Sequence, residues 1–178
     1  MKIEGTEKLT HPAALVFATL RDKTPDLAAY MPNIEQVEVL EREEKPPLTH
    51  LHNRWQGSSR DVPAVIRPFV KKELVAWHDY ATWNADGLEC TWRIEAMVGK
   101  ECFSCAGRTT IVAEGDQRCV FTLAGELRVD PDHVPGVPRF LARRLQEPLE
   151  RFIANAIRPN LTSIAGAVQK YLDAHPGG

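Results

Sequence analysis

The chain has 178 residues, with 22 Lys or Arg against 24 Asp or Glu and a formal net charge of -2. That length suffices for one domain with a real core, so residues 1–178 are read as a single unit. The near-balance of charge, without a long run of either sign, argues against a nucleic-acid partner. No apolar run approaches the roughly 20 residues of a membrane span. Met1 leads straight into an alternating segment and not into a signal peptide, so the expected compartment is a reducing cytoplasm in which the four cysteines stay thiols.

Residues 2–9 alternate, with Ile3, Gly5 and Leu9 on one side and Lys2, Glu4, Thr6 and Lys8 on the other, and predict a first strand. Thr10-His11-Pro12 reads as a helix start, with Thr10 or His11 capping and Pro12 near the first helical position. Leu15, Val16 and Leu20 give that helix a short apolar face, and a second short helix over about 25–30 ends at Met31-Pro32-Asn33. Residues 34–43 alternate again, Lys45-Pro46-Pro47 interrupts them, and 48–56 form a third strand. Residues 57–70 fit neither period: Gly57-Ser58-Ser59 is turn-like, and Pro63 and Pro68 are incompatible with a central strand. They are expected to form a flap over one end of the sheet or an irregular surface loop.

From 72 to 130 the pattern is clean enough to derive a register. Asp86-Gly87 is a two-residue hairpin signal, Gly99-Lys100 a weaker one, and Gly115-Asp116-Gln117 suits a three-residue loop. Folding the chain at these points pairs Trp83 with Cys90, Ala81 with Trp92, Asp79 with Ile94 and Trp77 with Ala96. Trp92 then meets Gly107, Ile94 meets Cys105, and Ala96 meets Phe103. Across the last hairpin Gly107 meets Gly125, Cys105 meets Leu127, and Ile111 meets Phe121. All three turns place the same parity on one face: Trp77, Trp83, Trp92, Ile94, Phe103, Ile111, Phe121, Leu123, Leu127 and Val129. The other face holds His78, Thr82, Glu89, Arg93, Glu95, Arg108, Thr122, Glu126 and Arg128. A slip of one residue would invert every position, so the agreement supports the register and an antiparallel sheet buried on one side.

Residues 138–173 predict one amphipathic helix of roughly 54 Å. Its apolar stripe runs through Leu141, Leu145, Leu149, Phe152, Ala156, Leu161, Ile164, Val168 and Leu172. Pro148 and Pro159 either bend a single helix or divide it, with a short helix ending near Gln146. A stripe of that length is buried by lying across a curved antiparallel sheet, an arrangement that tends to leave a cavity.

The order of strand, two short helices, antiparallel strands and one long terminal helix resembles the helix-grip fold of the SRPBCC (START-like) superfamily. His11-Pro12-Ala13-Ala14-Leu15-Val16-Phe17-Ala18, Asp22, Tyr30-Met31-Pro32 and the strand beginning at Ile34 are similar to the opening of its polyketide cyclase/dehydrase-like members. The resemblance implies an α+β fold with a hydrophobic pocket between sheet and terminal helix, in a superfamily that includes lipid and sterol carriers, cyclases and chaperone activators. It carries over no catalytic residue, because such proteins share a cavity and not a reaction.

Asp79 is the candidate for chemistry. The register turns it inward between Trp77 and Ala81, where an ionised carboxylate is costly unless paired, so it could move a proton or anchor a ligand hydroxyl. The structural alternatives are access to solvent or a helix arginine, Arg151 or Arg158. Gly107 and Gly125 either make room for Trp92 or deepen a pocket beside its indole. His50 and His52 share a strand face with Arg54 but lie opposite Leu51 and Trp55, which places them toward water without a third metal ligand. Cys102 and Cys105 stand three apart on a strand and point to opposite faces, so no zinc site is expected and Cys90, Cys105 and Cys119 read as small core residues. Arg139, Arg143 and Arg144 lie on a solvated helix face or draw an anionic head group.

The expected site is an apolar cavity lined by Trp77, Asp79, Trp83, Trp92, Phe103, Cys105, Phe121, Leu127, Phe152 and Ile153, with residues 57–70 and 134–146 near its entrance. It needs no cofactor and no metal, and its partner is an apolar small molecule or lipid. The alternatives are a polyketide cyclase/dehydrase-like enzyme using Asp79, and a chaperone-activating or scaffolding module that works through its outer surface.

Overall fold

A computed structural model describes residues 1–58, 75–98, 101, 103–130, 133 and 139–176; only the backbone is described at 129, and over 139–160 side chains are described at Glu147, Arg151, Ala154, Asn155 and Pro159. The expectations for Ser59 onward in the 57–70 segment, for Gly99-Lys100, for Cys102, and for the side chains of Phe152, Ile153, Arg158 and Arg139/Arg143/Arg144 lie outside the described residues.

The elements follow the predicted order. Strand β1 (Lys2–Leu9) leads to α1 (Ala13–Asp22) and α2 (Thr24–Leu27), which runs on into a 3-10 turn at Ala28–Tyr30. Strands β2 (Ile34–Lys45), β3 (Leu48–Gly57), β4 (Ala76–Asn84), β5 (Glu89–Ala96), β6 (Phe103–Ala113) and β7 (Cys119–Val129) precede α3 (Arg139–Ala174). The strands form one antiparallel sheet in the order β1-β7-β6-β5-β4-β3-β2. Strands β2 through β7 are neighbours in chain order, whereas β1 lies at the far edge of the sheet, where it pairs with β7.

The derived register is the observed one. Trp83 pairs with Cys90, Ala81 with Trp92, Asp79 with Ile94 and Trp77 with Ala96. Trp92 pairs with Gly107 and Ile94 with Cys105, while the ladder between β5 and β6 ends at Glu95 and Ser104, one position before Ala96 and Phe103. Gly107 meets Gly125, Cys105 meets Leu127, and Ile111 meets Phe121. The predicted inner row from Trp77 to Leu127 is buried throughout.

Two local features differ from expectation. Neither Thr10 nor His11 caps α1: Pro12 is itself the N-cap residue and makes no side-chain cap bond. The two side chains instead reach the last helix, where Gln169 Nε2 donates to Thr10 Oγ1 at 2.9 Å and the His11 ring meets Asp173 at 2.8 Å. The Asp86-Gly87 hairpin is centred as predicted but is not a two-residue turn. Its loop runs from Ala85 to Leu88, Asn84 Oδ1 accepts from the Asp86 N–H at 3.1 Å, and Leu88 takes the left-handed conformation at φ 46. In the other hairpin Gly115 supplies the left-handed residue at φ 84, and Glu114 N–H closes on Arg118 C=O at 2.8 Å.

Helix α3 is continuous through both prolines and contacts β1, β7, α1, α2 and the 3-10 turn. Ala165, Ala167, Val168 and Leu172 form its buried stripe. Gly5 on β1 has no side chain to hold the helix off, and a Cβ built there would already stand 3.4 Å from the Thr162 methyl. Tyr171 meets Tyr30 edge-on at 6.0 Å, so the terminal turns are anchored from the short helices as well as from the sheet. The sequence excluded a membrane span, and among the described residues no helix is long and apolar enough to cross one.

Candidate functional site

Between the inner face of the sheet, α1–α2 and α3 lies a cavity of about 70 Å³. At roughly 10–15 Å³ of such volume per water, it holds about five waters or a small organic molecule. The chain's four tryptophans, Trp55, Trp77, Trp83 and Trp92, all line it. The period of two along each strand explains their convergence. On β4 it turns Trp77, Asp79, Ala81 and Trp83 inward; on β3, Asn53 and Trp55; on β5, Cys90, Trp92 and Ile94. Thr109, Phe121 and Leu123 complete the sheet wall, with Leu20 and Thr24 from the short helices and Leu161 and Ile164 from α3.

The rings are held from outside the cavity. Trp55 and Trp77 are directly paired residues of β3 and β4 and stack at 6.1 Å, nearly coplanar at 11°. Phe17 of α1 supports Trp83 edge-on at 5.4 Å. Trp92 lies over the two glycines: a Cβ on Gly107 would fall 2.5 Å from Trp92 Cζ2, and one on Gly125 would fall 2.6 Å from Cη2. Its indole N–H donates to Thr109 Oγ1 at 3.2 Å. The glycines thus seat the indole and do not open a pocket beside it.

Asp79 sits in this wall where the register placed it. Asn53, its paired neighbour on β3, donates from Nδ2 to Asp79 Oδ2 at 3.1 Å. No basic side chain among the described residues forms an ion pair with it; Arg151, one of the two expected partners, is exposed and bridges Glu147. Asp79 is partly buried and lines the cavity. Burial accordingly raises its pKa to about 6, and the hydrogen bond from Asn53 and the nearby Trp55 indole offset only part of that rise.

Three buried polar atoms in residues that line this cavity have no hydrogen-bond partner: Asn53 Oδ1, Trp55 Nε1 and Trp83 Nε1. Each such group costs about 1–3 kcal/mol if left unmet. Of the other polar lining groups, Thr24 Oγ1 donates to the Leu20 carbonyl at 2.5 Å and Cys90 Sγ to the Thr91 carbonyl at 3.5 Å. The Cys90 thiol is pushed up by burial and then by the charge of Asp79, so it is no nucleophile at neutral pH.

Of the residues predicted from sequence, Trp77, Asp79, Trp83, Trp92 and Phe121 are brought together here. Phe103, Cys105 and Leu127 are buried on the same face but do not line this cavity; Cys105 and Leu127 pair with each other, and Phe103 with Val129, toward the opposite end of β6 and β7. Asn53 was missed although the signal was present, since it shares the inward row of β3 with Leu51 and Trp55. Thr109 stands likewise between Gly107 and Ile111.

The outer face carries the expected polar row. His50 Nδ1 meets Thr82 Oγ1 at 3.0 Å, and His52 Nε2 meets His78 Nδ1 at 2.8 Å. His52 stacks on Tyr80 at 4.4 Å, and the Arg93 guanidinium lies 4.5 Å from the same ring. Among the described residues no group of three or more His, Cys, Asp or Glu is placed to hold a metal ion. Cys90, Cys105 and Cys119 are buried free thiols, with Cys105 pushed up to about 12 by burial.

Compared with known proteins, the chain matches no family model and no curated protein. It is similar in structure to the Zhui aromatase/cyclase of Streptomyces sp. R1128, with 19% identity, a TM-score of 0.63 and coverage of 100% of this chain and 99% of that one. Norcoclaurine synthase of Thalictrum flavum, solved with dopamine and hydroxybenzaldehyde, aligns at 14% identity and TM-score 0.57 over 100% of this chain and 89% of that one. A START superfamily protein of Mycobacterium smegmatis aligns at 13% identity and TM-score 0.50 over 90% and 96%. With the seven-stranded antiparallel sheet, the paired short helices after β1 and the terminal helix, these likenesses identify the architecture: the chain has the helix-grip fold of the SRPBCC (START-like), polyketide cyclase-like proteins.

Proposed function

We propose that the protein holds a small, mainly apolar molecule in the cavity between the sheet and α3, as a carrier or sensor. The observation that carries this reading is a mainly apolar space lined by four tryptophans, in which Asp79 is the one carboxylate among the described lining residues. Buried polar groups are normally satisfied, and a site of this kind combines an apolar body with a few orienting polar groups. Covering about 200 Å² of ligand apolar surface contributes on the order of 5 kcal/mol, enough for retention without a covalent step. Native mass spectrometry of the freshly purified protein is the test, together with titration of a small apolar molecule followed by tryptophan emission. A protein that carries nothing and whose emission is unmoved by such titrants does not hold an apolar ligand there.

A second reading is favoured by Asp79 specifically. A carboxyl with a pKa of about 6 inside an apolar cavity has the properties of a general acid/base near neutral pH. On this reading the cavity folds a flexible substrate of the kind a polyketide cyclase accepts, and Asp79 moves a proton. Replacing Asp79 by Asn separates the two: binding of an uncharged apolar molecule survives in both, and turnover collapses only in the second.

A further inference from the structure

We infer that the ligand of this cavity is a small organic cation, an amine on an apolar body whose ammonium group meets Asp79 between the tryptophans. The inference deepens the ligand-binding reading above and rests on it.

The wall is unbalanced in charge. Asp79 supplies a carboxylate, and no ion pair to it is made by any described residue, on β3, β4, β5, the short helices or α3. Asn53 Nδ2 donates to it at 3.1 Å, and both described groups that favour its charged form, Asn53 and Trp55, are neutral. Because a carboxylate only accepts, it fixes the Asn53 amide with its NH₂ toward Asp79. A carboxylate in this wall without a described cation beside it matches a group with several N–H donors and no acceptor, which describes an ammonium.

The rings complete the match. Trp55 and Trp77 stack as one aromatic surface beside this pair, and Trp83 and Trp92 lie farther along the same wall. Tryptophan is the most favourable face for a cation, and the attraction grows when water is excluded. A neutral apolar ligand would displace water from the carboxylate without replacing its charge partner, and an anionic ligand would be repelled.

The experiment compares three compounds of nearly equal size, benzylamine, benzyl alcohol and benzoate, by calorimetry or ligand-observed NMR on the intact chain near pH 7.5. Benzylamine is expected to bind about tenfold or more tighter than benzyl alcohol, with benzoate weakest. In Asp79→Asn the amine's advantage shrinks to about threefold or less while benzyl alcohol binds as before. The wild-type protein supplies the same contrast without a substitution, the advantage vanishing near pH 4.5 with the alcohol unchanged. Cys90, the other titratable lining side chain described, stays a protonated thiol across that range. If benzyl alcohol binds and benzylamine binds no tighter, the cation is wrong and the cavity reading stands; if none of the three binds, both fall. An amine preference that persists both in a folded Asp79→Asn and at low pH also overturns the assignment of Asp79.

Discussion

Asn53 and Asp79 face each other from directly paired positions on β3 and β4, and the amide nitrogen of one donates to the carboxylate of the other across 3.1 Å. This bond and the nearby Trp55 indole compensate only in part for a carboxyl set among four indoles, since burial still raises Asp79 to about 6.

Stability should therefore respond to pH in an unusual direction. The folded pKa of about 6 lies above the roughly 3.9 of an unfolded chain, so the native state binds the Asp79 proton more tightly. The contribution is fully present below about pH 4 and is lost as pH rises through 6, amounting to about 3 kcal/mol. Asp22 works the other way: the hydrogen bond from Arg21 holds its carboxyl below the usual range, so its stabilisation is present above the unfolded pKa and disappears as pH falls. Urea denaturation of the wild type and Asp79→Asn isolates the first effect. The variant should gain from about zero at pH 4 to about 2–3 kcal/mol at pH 7.5; a difference constant with pH would mean that Asp79 ionises as readily in the folded protein as in the unfolded chain.

Gly107 and Gly125 are required by Trp92. A Cβ on Gly107 would stand 2.3 Å from the Ala124 carbonyl oxygen, and one on Gly125 would stand 2.8 Å from that of Ala106, before the indole contacts are counted. Either glycine replaced by Ala should lose about 2–3 kcal/mol and shift the Trp92 emission. Denaturant midpoints within experimental error of wild type would show that the strands yield at no cost.

Thr109→Val keeps the shape of the side chain but removes the acceptor for Trp92 Nε1. The buried indole N–H is then unmet, at an expected cost of about 1–2 kcal/mol. Thermal denaturation measures it, and an unchanged melting temperature would imply that water already serves this N–H.

The last helix should be held by apolar contact more than by surface charge. Leu172 is 4% exposed, and Leu172→Ala should cost about 2–5 kcal/mol. Lys8, which bridges Glu114 at 3.0 Å in full view of solvent, should change stability by less than about 0.5 kcal/mol when replaced by Ala. Equal losses from the two substitutions in chemical denaturation would contradict this ranking.

What was legible in the sequence is whatever repeats locally. A period of two and three turn signals sufficed to pair Asp79 with Ile94 and Trp92 with Gly107, because each strand position has only two faces to choose from. The same parity put all four tryptophans and Asp79 inside, and the 3.6-residue stripe marked out the terminal helix as one element. Turn chemistry was read less well: Asp86-Gly87 centred its hairpin, yet the left-handed residue is Leu88, since the Asn84 side chain closes the loop one residue earlier than the dipeptide suggests. Thr10 and His11 look like caps in the sequence, and only the arrival of α3 shows that their polar groups are spoken for by Gln169 and Asp173.

Tertiary structure decided where along the buried face the space lies. Parity says that Phe103, Cys105 and Leu127 are inside but not that they sit away from the cavity that Asn53, Trp55 and Thr109 help to line. A gap is the difference between the volume the backbone encloses and the volume the side chains fill, and the enclosed volume is set by how far α1, α2 and α3 stand from the sheet. The sequence by itself determined the faces, the register and an inward carboxylate. The depth of the space, and which of the buried side chains line it, came only from the packing of elements remote in the chain.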